Sequence, residues 1–105
     1  MDNGWITTLR LDGSPRLARV WFVELDGDIW IASGESSFKV ADIRRDERVA
    51  FAVEGRHGGL SGRAVIVAIH TRADILCLLT DRYNGWDAAD PTVDGPRVLI
   101  CVRPR

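Results

Sequence analysis

The chain has 105 residues, and its 46% hydrophobic and 28% charged content is that of one folded domain with a modest core rather than of a disordered segment. A formal net charge of -1 and a pI of about 6.1 provide no broad basic field, which speaks against nucleic acid as a partner. No apolar run approaches the roughly 18 residues of a membrane span, and MDNGWITT lacks the layout of a secretory signal, so a cytoplasmic protein with no membrane partner is expected.

In chain order, WITTLRL over residues 5–11 reads as a strand, stopped by D-G-S-P at 12–15, where Gly and Pro supply turn geometry. RLARVWFVE, residues 16–24, then alternates with Leu17, Arg19, Trp21 and Val23 on one face and Ala18, Val20, Phe22 and Glu24 on the other. Both faces are mostly apolar, which predicts a strand covered on both sides. Asp26-Gly27 is a hairpin signal, and IWIAS at 29–33 is the returning strand. A short helix fits 37–45, with Ser36 or Ser37 as its N-cap. Strands follow at 48–54 and 63–69, separated by the glycine-rich EGRHGGLSG. A helix over 73–83 puts Ile75, Leu76 and Leu79 on its apolar side. After NGWDAADPTVDGP comes a last strand at 97–102.

The order β-β-β-α-β-β-α-β predicts a mainly β fold with two short helices, its six antiparallel strands closing as a small barrel that removes exposed edges. No repeat, linker or low-complexity tract divides it.

SGESSFKV, residues 33–40, carries the one lysine beside thirteen arginines. Arg-rich codon usage alone accounts for that rarity. If Ser36 or Ser37 caps the helix, Lys39 lies in its first turn, where the dipole is positive and a cation is disfavoured by a few tenths of a kcal/mol, roughly, unless an anion visits. Backbone N–H groups, serine hydroxyls and an ammonium suit a phosphate or carboxylate. A capped turn with a solvated lysine, which Glu35 can pair, is the other reading of the same residues.

The succession TTLRLDGSPRLARVWFVELDGDIWIASGESSFKVADIRRDERVAFAV resembles the split-barrel proteins related to pyridoxamine 5'-phosphate oxidase. The similarity runs from about Gly4 to Gly62 and continues through GRAVIVA and RVLICV. It rests on the D-G-x-P hairpin, the apolar strand with W-F, the S-x-K helix start and the R-R-D-x-R-V return. The resemblance implies a homodimeric six-stranded split barrel that binds FMN or the deazaflavin coenzyme F-420 in a groove between subunits. The strand containing Arg19, Val20 and Trp21 would lie along the ring. Ala32, Ser33, Ser37 and Lys39 would hold the ribityl chain and phosphate. Phe38 stands where the oxidase has an arginine. Asp42 stands where deazaflavin-binding relatives often have asparagine, and its charge is expected to repel an anionic tail. The sequence ends at VRPR without the oxidase's substrate-binding segment, so that specific reaction is not expected.

Arg19 has two readings: a bidentate partner for the phosphate, or a rim residue bonded to an acidic neighbour. Trp21 fits either a ring contact or core packing. His57 in GRHGG is a loop histidine, and His70 ends a strand. Cys77 and Cys101, without CxxC spacing or an export signal, read as reduced thiols. The two histidines and two cysteines lack zinc-ligand spacing, and no GxSxG or GK[ST] motif is present. The function expected is a flavin- or deazaflavin-dependent oxidoreductase passing hydride to a small substrate, with no catalytic side chain of its own. The alternatives are a non-catalytic carrier, store or sensor of the same cofactor, and a cofactor-free dimeric barrel. A single copy is expected to leave some of its four tryptophans uncovered, which also argues for a homodimer.

Overall fold

Turn chemistry fixes the two hairpins that frame the molecule. In the computed structural model, which describes residues 3–93 and 95–105, β1 (Gly4–Leu9) and β2 (Pro15–Val20) are joined by a turn in which the Asp12 carboxylate accepts from the Ser14 amide at 3.0 Å. β3 (Val23–Leu25) and β4 (Asp28–Gly34) are joined through Asp26 and Gly27, whose φ angles of 53° and 84° match the right-handed twist of the flanking strands.

The chain continues through α1 (Phe38–Arg45), β5 (Arg48–Val53), β6 (Leu60–Ala68), a 3-10 turn at Ile69–Thr71, α2 (Ala73–Arg82) and β7 (Arg97–Pro104). All the pairings are antiparallel, and among the described residues the sheet has seven strands in the order β2-β1-β5-β6-β7-β4-β3. The fold is mainly β with two helices, consistent with a split barrel.

Three expectations are corrected. The strand expected over 16–24 is interrupted, so there are seven strands rather than six, and the barrel is not closed by hydrogen bonds. Val20 still pairs with Gly4 and Val23 already pairs with Trp30, while Trp21 and Phe22 belong to neither ladder. These two residues carry the chain from one edge of the curved sheet to the other. The backbone groups that the crossing removes from the ladder are answered by one side chain: the Tyr83 hydroxyl donates to the Phe22 carbonyl at 2.9 Å and accepts from the Phe22 amide at 2.8 Å. Nor is β2 covered on both sides, since Leu17 is 62% exposed.

The interior of the curved sheet is filled by a cluster that includes Ile6, Phe22, Ile31, Phe51 and Ile100, to which α1 adds Val40 and Ile43. α2 lies on the outer face, where Ile75 and Leu79 pack with Trp30, Leu99 and Cys101. Each such side chain contributes roughly 1.5–3 kcal/mol by leaving water. Of the four tryptophans, Trp30 is buried, while Trp5, Trp21 and Trp86 are half-buried, so one copy leaves three of them partly uncovered as expected. No helix among the described residues is long and apolar enough to cross a membrane.

Candidate functional site

The end of β2, the end of β4 and the start of α1 converge on one cavity of about 280 Å³. Arg19, Val20 and Trp21 reach it from β2 and the crossing, Ala32 and Ser33 from β4, and Lys39 from the first turn of α1. Six of the seven residues expected at a cofactor site therefore line one space. The seventh, Ser37, lies one hydrogen bond away, its hydroxyl 3.0 Å from that of the buried Ser33.

The local reason is a tight turn after β4. The Ser37 amide donates to the Gly34 carbonyl at 3.0 Å, and Ser37 then holds extended backbone with φ -68° and ψ 153°, as an N-cap does. Of the two serines, Ser37 is thus the cap. Its hydroxyl accepts from the Val40 amide at 3.4 Å, a long bond that leaves oxygen capacity for another donor. No acidic residue stands in the first turn of α1, so nothing there offsets the partial positive charge of the helix end.

An aromatic wall meets this polar corner. Trp21 stacks on Tyr83 with ring centres 4.5 Å apart and planes 6° from parallel, and Trp86 meets Trp21 edge-on at 5.0 Å. Trp86 is carried by the loop after α2. That loop is held by Arg97, whose guanidinium donates to the carbonyls of Ala88 at 3.2 Å and Asp90 at 3.0 Å and lies over the Trp86 ring.

Arg19 forms the rim pair with an acidic neighbour. It lines the cavity, and it donates to Glu54 at 3.0 Å. Both partners are about half exposed, so this ion pair is worth roughly 0–1 kcal/mol and opposes no competing anion strongly. The expectation for Asp42 is overturned. Its carboxylate is buried and accepts from the Thr8 hydroxyl at 2.7 Å, Arg16 at 2.7 Å and Arg45 at 3.0 Å. It lies outside the cavity lining, its charge compensated by two guanidiniums, and it ties α1 to β1 and β2.

Gly34, Trp86 and Arg97 also line the cavity and were not anticipated. Arg97 faces Gly34 across the β4–β7 ladder, a register no local motif announces. A lone tryptophan in a turn-rich loop was the available signal for Trp86. His57 lines a different hollow, beside Phe51 and Leu60, and His70 lies in the 3-10 turn. Cys77 and Cys101 are free thiols, exposed and buried respectively.

Three cations, the Ser33 hydroxyl with Ser37 bonded beside it, and an aromatic wall, with no carboxylate among the described lining residues, make a set that fits an anionic phosphate next to a planar group.

The model of the pyridoxamine 5'-phosphate oxidase family matches residues 3–105. No curated protein matches the chain. Among solved structures, a conserved hypothetical protein from Mycobacterium tuberculosis is 30% identical with a TM-score of 0.78, the match covering 98% of this chain and 72% of that one. An F420 reductase is 29% identical with a TM-score of 0.71, covering 98% of this chain and 86% of its own. A heme storage protein from Vibrio cholerae shares the fold at a TM-score of 0.79 with 11% identity, covering 98% and 81%. The chain belongs to the pyridoxamine 5'-phosphate oxidase family of split-barrel proteins, some of which bind a flavin or F420.

Proposed function

We propose that the protein binds FMN or coenzyme F-420 with its phosphate at Ser33, Ser37 and Lys39 and its ring system along Val20 and Trp21, and that it acts as an oxidoreductase on a small substrate. The observation that carries this reading is the cavity lining itself: Arg19, Lys39 and Arg97 line a space with no acidic residue among its described lining residues, and a braced tryptophan closes one side. The likeness to an F420 reductase at 29% identity supports the same class of cofactor.

When bound, the cofactor supplies hydride transfer. The chain's own residues do the rest. Lys39 and the Ser33–Ser37 pair neutralise and orient the anionic end. Trp21 and Trp86 exclude water from the face they cover. Arg19 exchanges Glu54 for the ligand at small cost. A space of about 280 Å³ is at the lower limit of the roughly 300–1,000 Å³ of small-molecule sites, so a second copy of the chain completes the groove. The outer face of β1 and β5, with Trp5, Ala50 and Ala52 in register, offers a flat surface for that copy.

A second reading, binding without turnover, is favoured by the absence of His, Cys, Asp and Glu from the described lining residues. Such a protein would carry or store the cofactor. The visible spectrum of the purified protein, followed by titration with FMN and F-420, tests both. Saturable micromolar binding of one, weakened at least tenfold by Lys39→Ala, is the expected result. Binding of neither well above micromolar concentration overturns the assignment and leaves a cofactor-free barrel. Turnover across a substrate panel with the bound cofactor separates enzyme from carrier. Light scattering at micromolar concentration reads the dimer, and a stable monomer would refute the shared groove.

A further inference from the structure

Strand register sets arginines side by side on three neighbouring strands. Arg48 of β5 faces Arg63 of β6, and Arg63 faces Arg103 of β7. Directly opposed residues in antiparallel strands project to the same face, and three adjacent strands span roughly 10 Å. Arg105 extends the row: its amide donates to the Ser61 carbonyl at 3.1 Å, which continues the pairing, and it follows Arg103 by two residues on the same face. All four side chains are exposed.

Like charges directly opposite one another destabilise a sheet. Two carboxylates answer part of this row: Asp46 pairs with Arg48 at 2.7 Å, and Glu47 pairs with Arg63. Arg103 and Arg105 have no ion pair among the described residues. Arg48 and Arg63 also line a hollow of about 680 Å³ together with Arg44, Arg45 and the paired carboxylates of Asp46 and Glu47. None of these residues lines the cavity at Lys39. The net charge of -1 for the chain thus conceals a local concentration of guanidiniums.

We propose that the row Arg48, Arg63, Arg103 and Arg105 binds a small molecule carrying two or more adjacent phosphates. Guanidinium forks match phosphate oxygens two at a time, and neighbouring forks can be satisfied together only by neighbouring anions. A single phosphate meets only Arg103 and Arg105, whereas adjacent phosphates reach the whole row, displacing the partly exposed Asp46 and Glu47 from Arg48 and Arg63. A long polymer is disfavoured, because the row is short and acidic residues elsewhere cancel its charge at a distance.

Calorimetric titration with inorganic phosphate, pyrophosphate and triphosphate at low salt tests the assignment on the full chain. Affinity is expected to rise along that series, with triphosphate at least tenfold tighter than phosphate. Arg103→Gln should weaken triphosphate binding at least fivefold. Glu47→Gln, which releases Arg63, should tighten it, an outcome that damage to the fold cannot produce. Lys39→Ala should leave it unchanged, which separates this site from the proposed cofactor cavity. Adenosine triphosphate in place of triphosphate distinguishes the source: equal affinity assigns the phosphates alone, and tighter binding that still depends on Arg103 assigns a nucleotide. Equal, weak binding of all three anions, or loss of triphosphate binding on Lys39→Ala, overturns the proposal.

Discussion

The Tyr83 hydroxyl and the backbone of Phe22 form a reciprocal pair, the hydroxyl donating to the carbonyl at 2.9 Å and accepting from the amide at 2.8 Å. A side chain here takes the place of a neighbouring strand at the point where β2 gives way to β3. Tyr83→Phe keeps the ring against Trp21 and removes the hydroxyl. Two buried backbone groups then lose their partner, and a loss of about 2–4 kcal/mol in stability is expected. Denaturant unfolding would read it as a lower midpoint at unchanged slope. A change below half a kcal/mol, roughly, would mean that water replaces the hydroxyl without penalty.

Asp42 makes acid sensitivity predictable in sign. Burial alone would raise the pKa of its carboxyl, but hydrogen bonds from Arg16, Thr8 and Arg45 outweigh burial and hold it below the ordinary 3.8. As pH falls, the unfolded chain therefore takes up this proton first. The stabilisation is complete above the ordinary carboxylate pKa and is lost as pH drops through the lower folded value. Asp42→Asn should flatten the acid limb of the stability profile. It should also cost about 2 kcal/mol at neutral pH, less than the 3–5 of a fully buried pair, because Arg16 and Arg45 are partly exposed. An acid limb identical to that of the native chain would contradict this assignment.

Arg97 fastens the loop that carries Trp86. Arg97→Ala frees the carbonyls of Ala88 and Asp90 and uncovers one face of Trp86. Amide hydrogen exchange should accelerate over residues 86–93 while β1 and β5 keep their protection, with a global loss of about 1–2 kcal/mol. Uniform acceleration throughout the sheet would show that the arginine supports the fold rather than the loop.

Gly62 permits the close approach of β6 and β7. A Cβ at this position would lie 2.2 Å from the Arg103 carbonyl oxygen, a backbone atom that cannot swing aside. Gly62→Ala is expected to destabilise by about 1–3 kcal/mol, as overpacking does. A thermal melt unchanged within a degree would show that the two strands separate there easily.

Much of this architecture was legible because local chemistry dictates it. Asp12-Gly13 and Asp26-Gly27 fixed both hairpins, Ser37 capped α1 as its hydroxyl suggests, and the spacing of Ile75 and Leu79 oriented α2. The break at Trp21-Phe22 was not legible. Alternation in RLARVWFVE continues through it without a Gly or Pro, and the partner that makes the break tolerable lies far away in the chain at Tyr83. Arg97 and Trp86 were missed at the cavity for a related reason, since their placement follows from cross-strand register and a long loop rather than from neighbouring residues. Asp42 misled because a carboxylate near an anion site is read as repulsive until its three donors are seen.

The bond between Tyr83 and Phe22 also imposes an order on assembly. Both hairpins join near neighbours in the chain, but the seam between them is closed by a residue 61 positions downstream. Such a contact is reached only after a large loop has been drawn in, which places it late. On a ribosome, where the N-terminal part emerges first, Arg19, Ser33 and Lys39 are all exposed to solvent before the wall that will enclose them exists. The cavity is therefore among the last features to mature, and a chain released before Tyr83 would carry the residues of the site without the space they line.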